Sequence, residues 1–272
     1  MSRNKKSVGV RECLGDSFTP RTEISGRSYI ILAVAMFGIV LAIWSIATYS
    51  GMVNVLFVPT PGKTLQAAVK LFTQLDYISD IRITVIRVMV GFLIAAVIAL
   101  PLGVLVGTYR PLEALIEPLT SFARYLPASA FVPLFILWIG VGEGAKFAVI
   151  IVGSLPQLLL MVAVDTRKVQ HDLIEVSYTL GVSKSSVLWK VILPGSMPSI
   201  MDSLRMVLGW AWTYVVVAEL IGASSGIGYM IIQSQRMLNT SNIFVGILSI
   251  GVIGLVFDFV LKWLNRVLFR WN

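Results

Sequence analysis

One histidine and one cysteine occur among 272 residues, and aspartate and glutamate together number only 14. A lone Cys13 forms no internal disulfide. With His171 as the only imidazole, no Ser-His pair and no metal cluster is visible, which removes the constellations a membrane-embedded enzyme would need. A G-x-x-x-x-G-K-[ST] run is also missing, so the chain has no such loop of its own to cradle nucleotide phosphates. Charged residues make up 13% of the chain, about half the share usual in soluble domains, and the apolar spans use up a length that leaves no room for a separate soluble domain. No internal repeat is visible, which speaks against a carrier built from inverted halves.

What remains is apolar. Hydrophobic residues reach 57% and the mean hydropathy is +0.85, so the chain reads as an all-α integral membrane protein in contact with lipid. At about 20 residues per crossing, its length allows some five to seven transmembrane helices. The net charge of +8 comes from Lys and Arg scattered between apolar runs, a topogenic pattern and not a nucleic-acid patch.

Residues 1–28 carry six Lys or Arg without apolar periodicity and read as a cytoplasmic tail before a membrane domain over 29–272. Too long a basic region and too long an apolar run rule against a cleaved signal peptide, so residues 29–48 are an uncleaved first span. An amphipathic helix is expected over 64–75, and a second span over 83–108 with a kink at Pro101. A short loop with Glu113 and Glu117 leads to a third span over 119–139, interrupted by Pro127 and Pro133. Broken backbone at membrane depth is tolerated only inside protein or beside a water-filled cavity, so this span lines something. Further spans are expected over 145–164, 199–221 and 243–264, with residues 229–238 too short to cross. Basic residues concentrate in the segments that then lie inside, which places both termini of a six-span protein in the cytoplasm.

The one long polar interruption of the second half is residues 171–198. A first helix ends at Gly181, a left-handed stop; Ser183 caps a second helix over 184–193, which Pro194 ends; Ser196 then caps the fifth span. Leu173, Val176 and Leu180 share one stripe of the first helix. The product is an L-shaped knuckle suited to a socket on another protein.

Glu175-Val176-Ser177, Gly181 six positions after the glutamate, Ile192-Leu193-Pro194 and Pro198 resemble the EAA loop of membrane subunits of binding-protein-dependent ABC importers. The likeness extends from about Pro59 to the C-terminus through Thr84-Val85-Ile86-Arg87 with Gly91-Phe92, the Pro127–Pro133 segment, Ala218-Glu219 and Ser225-Gly226-Ile227-Gly228. These features are similar to the permeases for nitrate, taurine, aliphatic sulfonates and bicarbonate. Val176 and Ser177 stand where the family has two alanines, and both are small enough to pack closely. The resemblance implies a type I ABC importer permease fold in a bacterial inner membrane, with residues 165–198 as the coupling loop. It implies a permease homodimer, cytoplasmic ATP-binding subunits that hold ATP and Mg, and an extracytoplasmic substrate-binding protein. Glu175 is then the anchoring charge, Gly181 the turn, and Leu173, Val176 and Leu180 the packed face. An ATP-independent channel or ion-coupled carrier is the rival reading, and the presence or absence of an ATPase partner separates the two.

Charges within spans cost at least about 2.5–3.5 kcal/mol on insertion scales and need partners or water. Asp202 and Arg205 are spaced to pair, Asp258 is spaced to pair with Lys262, and Arg87 is near enough to a span end to snorkel. Arg124 either faces a cavity that attracts anions or anchors a helix at the inner interface, with Ser129 close behind it on the broken span. Glu219 is a gate or a helix-packing contact. Trp210, Trp212 and Tyr214 line the pathway or pack between helices.

Overall fold

The computed structural model describes residues 25–270. Its helices in chain order are α1 (Gly26–Tyr49), α2 (Pro61–Gln74), α3 (Tyr77–Thr108), α4 (Arg110–Ala123), a 3₁₀ turn (Ala128–Phe131), α5 (Val132–Ile139) and α6 (Glu143–Arg167). There follow α7 (His171–Thr179), α8 (Lys184–Val187), a π turn (Leu188–Ile192), α9 (Leu193–Gly222), α10 (Ile227–Arg236) and α11 (Thr240–Leu268). The chain divides into two compact units, residues 1–62 and 63–272. The basic tail expected over 1–28 lies, up to residue 24, outside the described residues.

In the first unit α1 starts where the Ser25 hydroxyl accepts the Ser28 backbone N–H. Thr48 is its one buried residue, and it is apolar on every side, as a helix in lipid must be. The chain then folds back, with the Trp44 indole donating to the Pro59 carbonyl at 3.0 Å.

Five helices among the described residues are long and apolar enough to cross a membrane: α1, α3, α6, the continuous run Lys184–Gly222, and α11. Taken together, α4 and the 3₁₀ turn with α5 are also long and apolar enough, as two limbs bent by 80°, the geometry of a broken span or a re-entrant loop. Pro127 caps the 3₁₀ turn and Pro133 opens α5, so the prolines interrupt the helix as expected. Glu113 and Glu117, expected in a loop, lie on α4 instead. Pro111 presets the first helical turn, and both carboxylates pair with Arg167 of α6. Likewise α3 begins at Tyr77, six residues before the expected start.

The core of the second unit is α3 against α6, with α9 laid across both. On α3 the residues Gly91, Ala95, Ala99, Gly103 and Gly107 recur every fourth position and form one stripe of small side chains. Gly91 meets Ile150, Gly103 meets Val162, and Gly107 meets Ala163 and Thr166, so the two helices run in the same direction. A Cβ on Gly103 would stand 2.7 Å from the Val162 Cβ. Only backbone fits there.

Neither Pro194 nor Ser196 divides the second limb of the knuckle from the fifth span. The helix continues from Lys184 to Gly222. Proline lacks an N–H and its ring collides with the carbonyl four residues back. The wider π turn absorbs both defects, with Leu193 N–H bonding to the Leu188 carbonyl just before Pro194. Ser196 is buried inside the helix, its hydroxyl donating to the Leu193 carbonyl at 3.0 Å.

Candidate functional site

The knuckle is fixed at its base and free at its tip. Val187, Leu188 and Ile192 are buried in the main core, and Ile174 and Val182 pack against it. By contrast α7 has no buried residue. Its stripe of Leu173, Val176 and Leu180 is 51%, 56% and 77% exposed, a costly display of apolar surface unless something covers it. Glu175 is exposed as well, with one carboxylate oxygen 3.2 Å from His171 Nε2, while the half-buried Ser177 donates to the Leu173 carbonyl.

The bend between the limbs is a Schellman turn. Val182 N–H bonds to the Ser177 carbonyl at 3.0 Å and Gly181 N–H to the Tyr178 carbonyl at 2.9 Å. Gly181 has φ +77°. Nothing lies within 4 Å of the place its Cβ would take, so the backbone conformation alone calls for glycine. Ser183 caps the second limb as expected, accepting from Ser186 N–H.

Beside the base of the knuckle opens a cavity of about 200 Å³ between the end of α4, the last turns of α6 and the first turns of α9. Arg124, Gln157, Asp165, Lys168 and Ser203 supply its polar lining. Asp165 is buried, held by Ser203 and by Lys168 at 2.7 Å, whereas Arg124 is exposed, with its guanidinium 4.8 Å from the centre of the Tyr125 ring. Ser129 is exposed on the 3₁₀ turn and Trp210 is 45% exposed on α9. Tyr214 fills the gap over Gly153 of α6, and Trp212 is buried against Phe257.

At the far end of α6, some 33 Å away by helix rise, lies a dense polar cluster. Arg87 does not snorkel: it is 1% exposed. Its guanidinium takes Glu143 bidentately at 2.7 and 2.7 Å, Glu219 at 2.7 Å, the Ser225 carbonyl at 2.7 Å and the Ser225 hydroxyl at 3.3 Å. Glu219 is wholly buried and also accepts the Thr84 hydroxyl at 2.9 Å and Gly228 N–H at 2.9 Å. Two further backbone donors are captured: Gly226 N–H by Asp80 at 2.7 Å and Ile227 N–H by Thr84 at 2.9 Å. Asp80, Thr84 and Arg87 share one face of α3, so three sequence-distant motifs converge on the first turn of α10. Elsewhere Arg205 stands 3.6 Å from Asp202, as its spacing predicts, and 3.5 Å from Asp258. The latter contact replaces the expected Asp258–Lys262 pair, because α9 brings a nearer cation.

Residues 99–271 match the family of binding-protein-dependent transport system inner membrane components. The chain belongs to this family. The permease is 33% identical to the aliphatic sulfonates transport permease protein SsuC of Bacillus subtilis, over 86% of this chain and 85% of that one. It is 34% identical to the bicarbonate transport system permease protein CmpB of Synechococcus elongatus, over 68% and 66% of the two chains. Its fold matches a chain of the MetNI methionine ABC transporter, in a structure described as inward facing, with a TM-score of 0.62 over 68% of this chain and 92% of that one at 21% identity. It is a multi-pass inner-membrane permease subunit of an ATP-driven importer with the type I fold, and not itself an enzyme.

Sequence reasoning missed Glu143, Lys146 and Asp80 as members of the polar cluster. The usable signal was charge balance: Arg87 and Glu219 are opposite charges within spans, each in need of a partner.

Proposed function

We propose that two copies of this permease form the translocation pathway for a small anion, a sulfonate, taurine, bicarbonate or nitrate. An extracytoplasmic binding protein delivers the anion, and separate subunits holding ATP and Mg drive its passage. Both termini and the knuckle lie on the cytoplasmic side. The observation that carries the coupling role is the knuckle's asymmetry, a buried base beneath an exposed stripe of Leu173, Val176 and Leu180. Closure of the ATPase pair moves the permease only if the docked knuckle contributes different free energy in the two states. A base rooted in the core transmits that difference to α9.

The anion reading is supported by the substrates in the relatives' names and by the chemistry of the 200 Å³ cavity. That space is below the range of drug-sized pockets and suits a solute of a few heavy atoms. Arg124 faces it with its guanidinium against Tyr125, and Gln157 adds donors. Ser129, Trp210 and Tyr214 extend the path along the broken span and α9.

The test is reconstitution of the permease with its ATPase and binding protein in proteoliposomes, with each of the four anions offered in turn. One anion should be retained by the binding protein and stimulate ATP hydrolysis, and Arg124→Gln should lower uptake about 10-fold or more, the loss of one charge-assisted contact. Uptake that persists without ATP, or an Arg124→Gln importer with unchanged uptake and unchanged anion-stimulated hydrolysis, overturns the corresponding half of the reading.

A further inference from the structure

The cluster around Arg87 has no part in docking the knuckle and does not touch the Arg124 cavity. Its geometry is that of a socket for a helix end. The first three N–H groups at the head of α10, on Gly226, Ile227 and Gly228, are each held by a different side chain: Asp80, Thr84 and Glu219. Those donors have no partner within a helix and attract negative charge through the helix dipole, so two carboxylates and a hydroxyl satisfy them fully. The approach is close. A Cβ on Gly226 would lie 2.4 Å from a Glu219 carboxylate oxygen, and one on Gly228 would lie 2.7 Å from the Glu219 Cβ. Gly226 also has φ +110°, a conformation that other residues adopt rarely.

Arg87 stands behind the socket. Its inner edge orients Glu219 and the Ser225 carbonyl, and its outer edge rests on Glu143, itself steadied by Lys146 at 2.7 Å. All five guanidinium N–H groups are used, which a lysine ammonium with three donors and no planar fork does not reproduce. The apolar side of α10 completes the seat, where Ile227 and Met230 pack with Leu71, Tyr77 and Val245. At ten residues α10 is too short to cross a bilayer, so it caps the bundle end remote from the knuckle, at the seam between α3 and α9.

We propose that Asp80, Thr84, Arg87 and Glu219 are positioning residues that hold α10 as the closure of the pathway at the end away from the knuckle. Release of α10 then has to be driven by the loaded binding protein. The proposal rests on the importer reading above. If the socket is loosened, the closure no longer waits for the binding protein, and ATP hydrolysis becomes independent of substrate. A socket that merely stabilises the fold has no such effect.

The experiment uses the assembled importer in proteoliposomes and measures ATP hydrolysis with and without substrate-loaded binding protein. Thr84→Val keeps the side-chain shape and removes the acceptor for Ile227 N–H; Arg87→Lys keeps the charge and removes the fork. Gly103→Ala, on the α3–α6 stripe, supplies a loss of stability outside the socket. The stimulation ratio should fall roughly fivefold or more in Thr84→Val and Arg87→Lys, the scale of an ordinary coupling between sites, and hold in Gly103→Ala at a matched drop in unfolding temperature. Glu143→Gln, changed at the half-exposed outer edge, should give a smaller fall. If both socket variants assemble and keep the wild-type ratio, or if the ratio follows unfolding temperature in all four variants, the proposal is wrong. Absence of stimulation in the wild type instead defeats the importer reading.

Discussion

Arg87 and Glu219 show how a charge is kept inside a membrane protein. A buried ion pair gains little net stability over apolar residues of the same shape, but an orphaned partner is expensive. Glu219→Ala should therefore cost about 3–5 kcal/mol, seen as a lower unfolding midpoint of the purified permease in detergent. An unchanged midpoint would mean that water reaches Arg87 freely. Both charges were visible in the sequence, and for Glu219 the need for a partner followed from the cost of a charge inside a span. The pairing was not legible, because 132 positions separate the two residues and nothing local records a contact made by folding. The reading of Arg87 as a snorkelling residue failed for a related reason. Apolar composition placed the start of the span at 83, but Ile78 and Ile81 extend α3 back to Tyr77, which leaves Arg87 nearly three turns inside.

Among the elements, α7 was the most legible. Gly181, Ser183 and the spacing of Leu173, Val176 and Leu180 act through local backbone rules, and each stands where those rules place it. Since the stripe is exposed, changing it should not disturb the fold. Leu173→Asp with Leu180→Asp should leave the unfolding free energy within about 0.5 kcal/mol of wild type while the ATPase subunit no longer copurifies. Copurification in normal yield would remove the stripe from the docking surface. The fifth span was less legible. Pro194 reads as a terminator on any local rule, and the π turn that carries the helix past it has no signature of its own in the sequence. The small-residue stripe of α3 was legible in principle, as five positions at a spacing of four, but its meaning depends on Ile150 and Val162 of a different helix.

At the scale of the whole molecule, composition alone gave the architecture, since length and apolar content leave few alternatives to about six helices. Orientation rests on charge asymmetry and is checked by labelling. In a Cys13→Ser background, Tyr178→Cys on α7 should react with an impermeant maleimide only from the cytoplasmic side. Val141→Cys, in the exposed turn before α6, should react only from the opposite side. The reverse pattern would invert the topology and with it the site of ATPase docking.

The unbroken passage of the helix through Pro194 makes the fifth span a lever. Its 39 residues measure about 58 Å of contour at 1.5 Å per residue, with the knuckle's second limb at one end and Glu219 near the other. A tilt of about 10° around its middle would carry the two ends about 5 Å in opposite directions, on that length. On the coupling and closure proposed above, force from the ATPase and resistance from the socket act on one beam. The π turn lies within that beam, between the knuckle's second limb and the span, so on the same proposal the stroke has to pass through it.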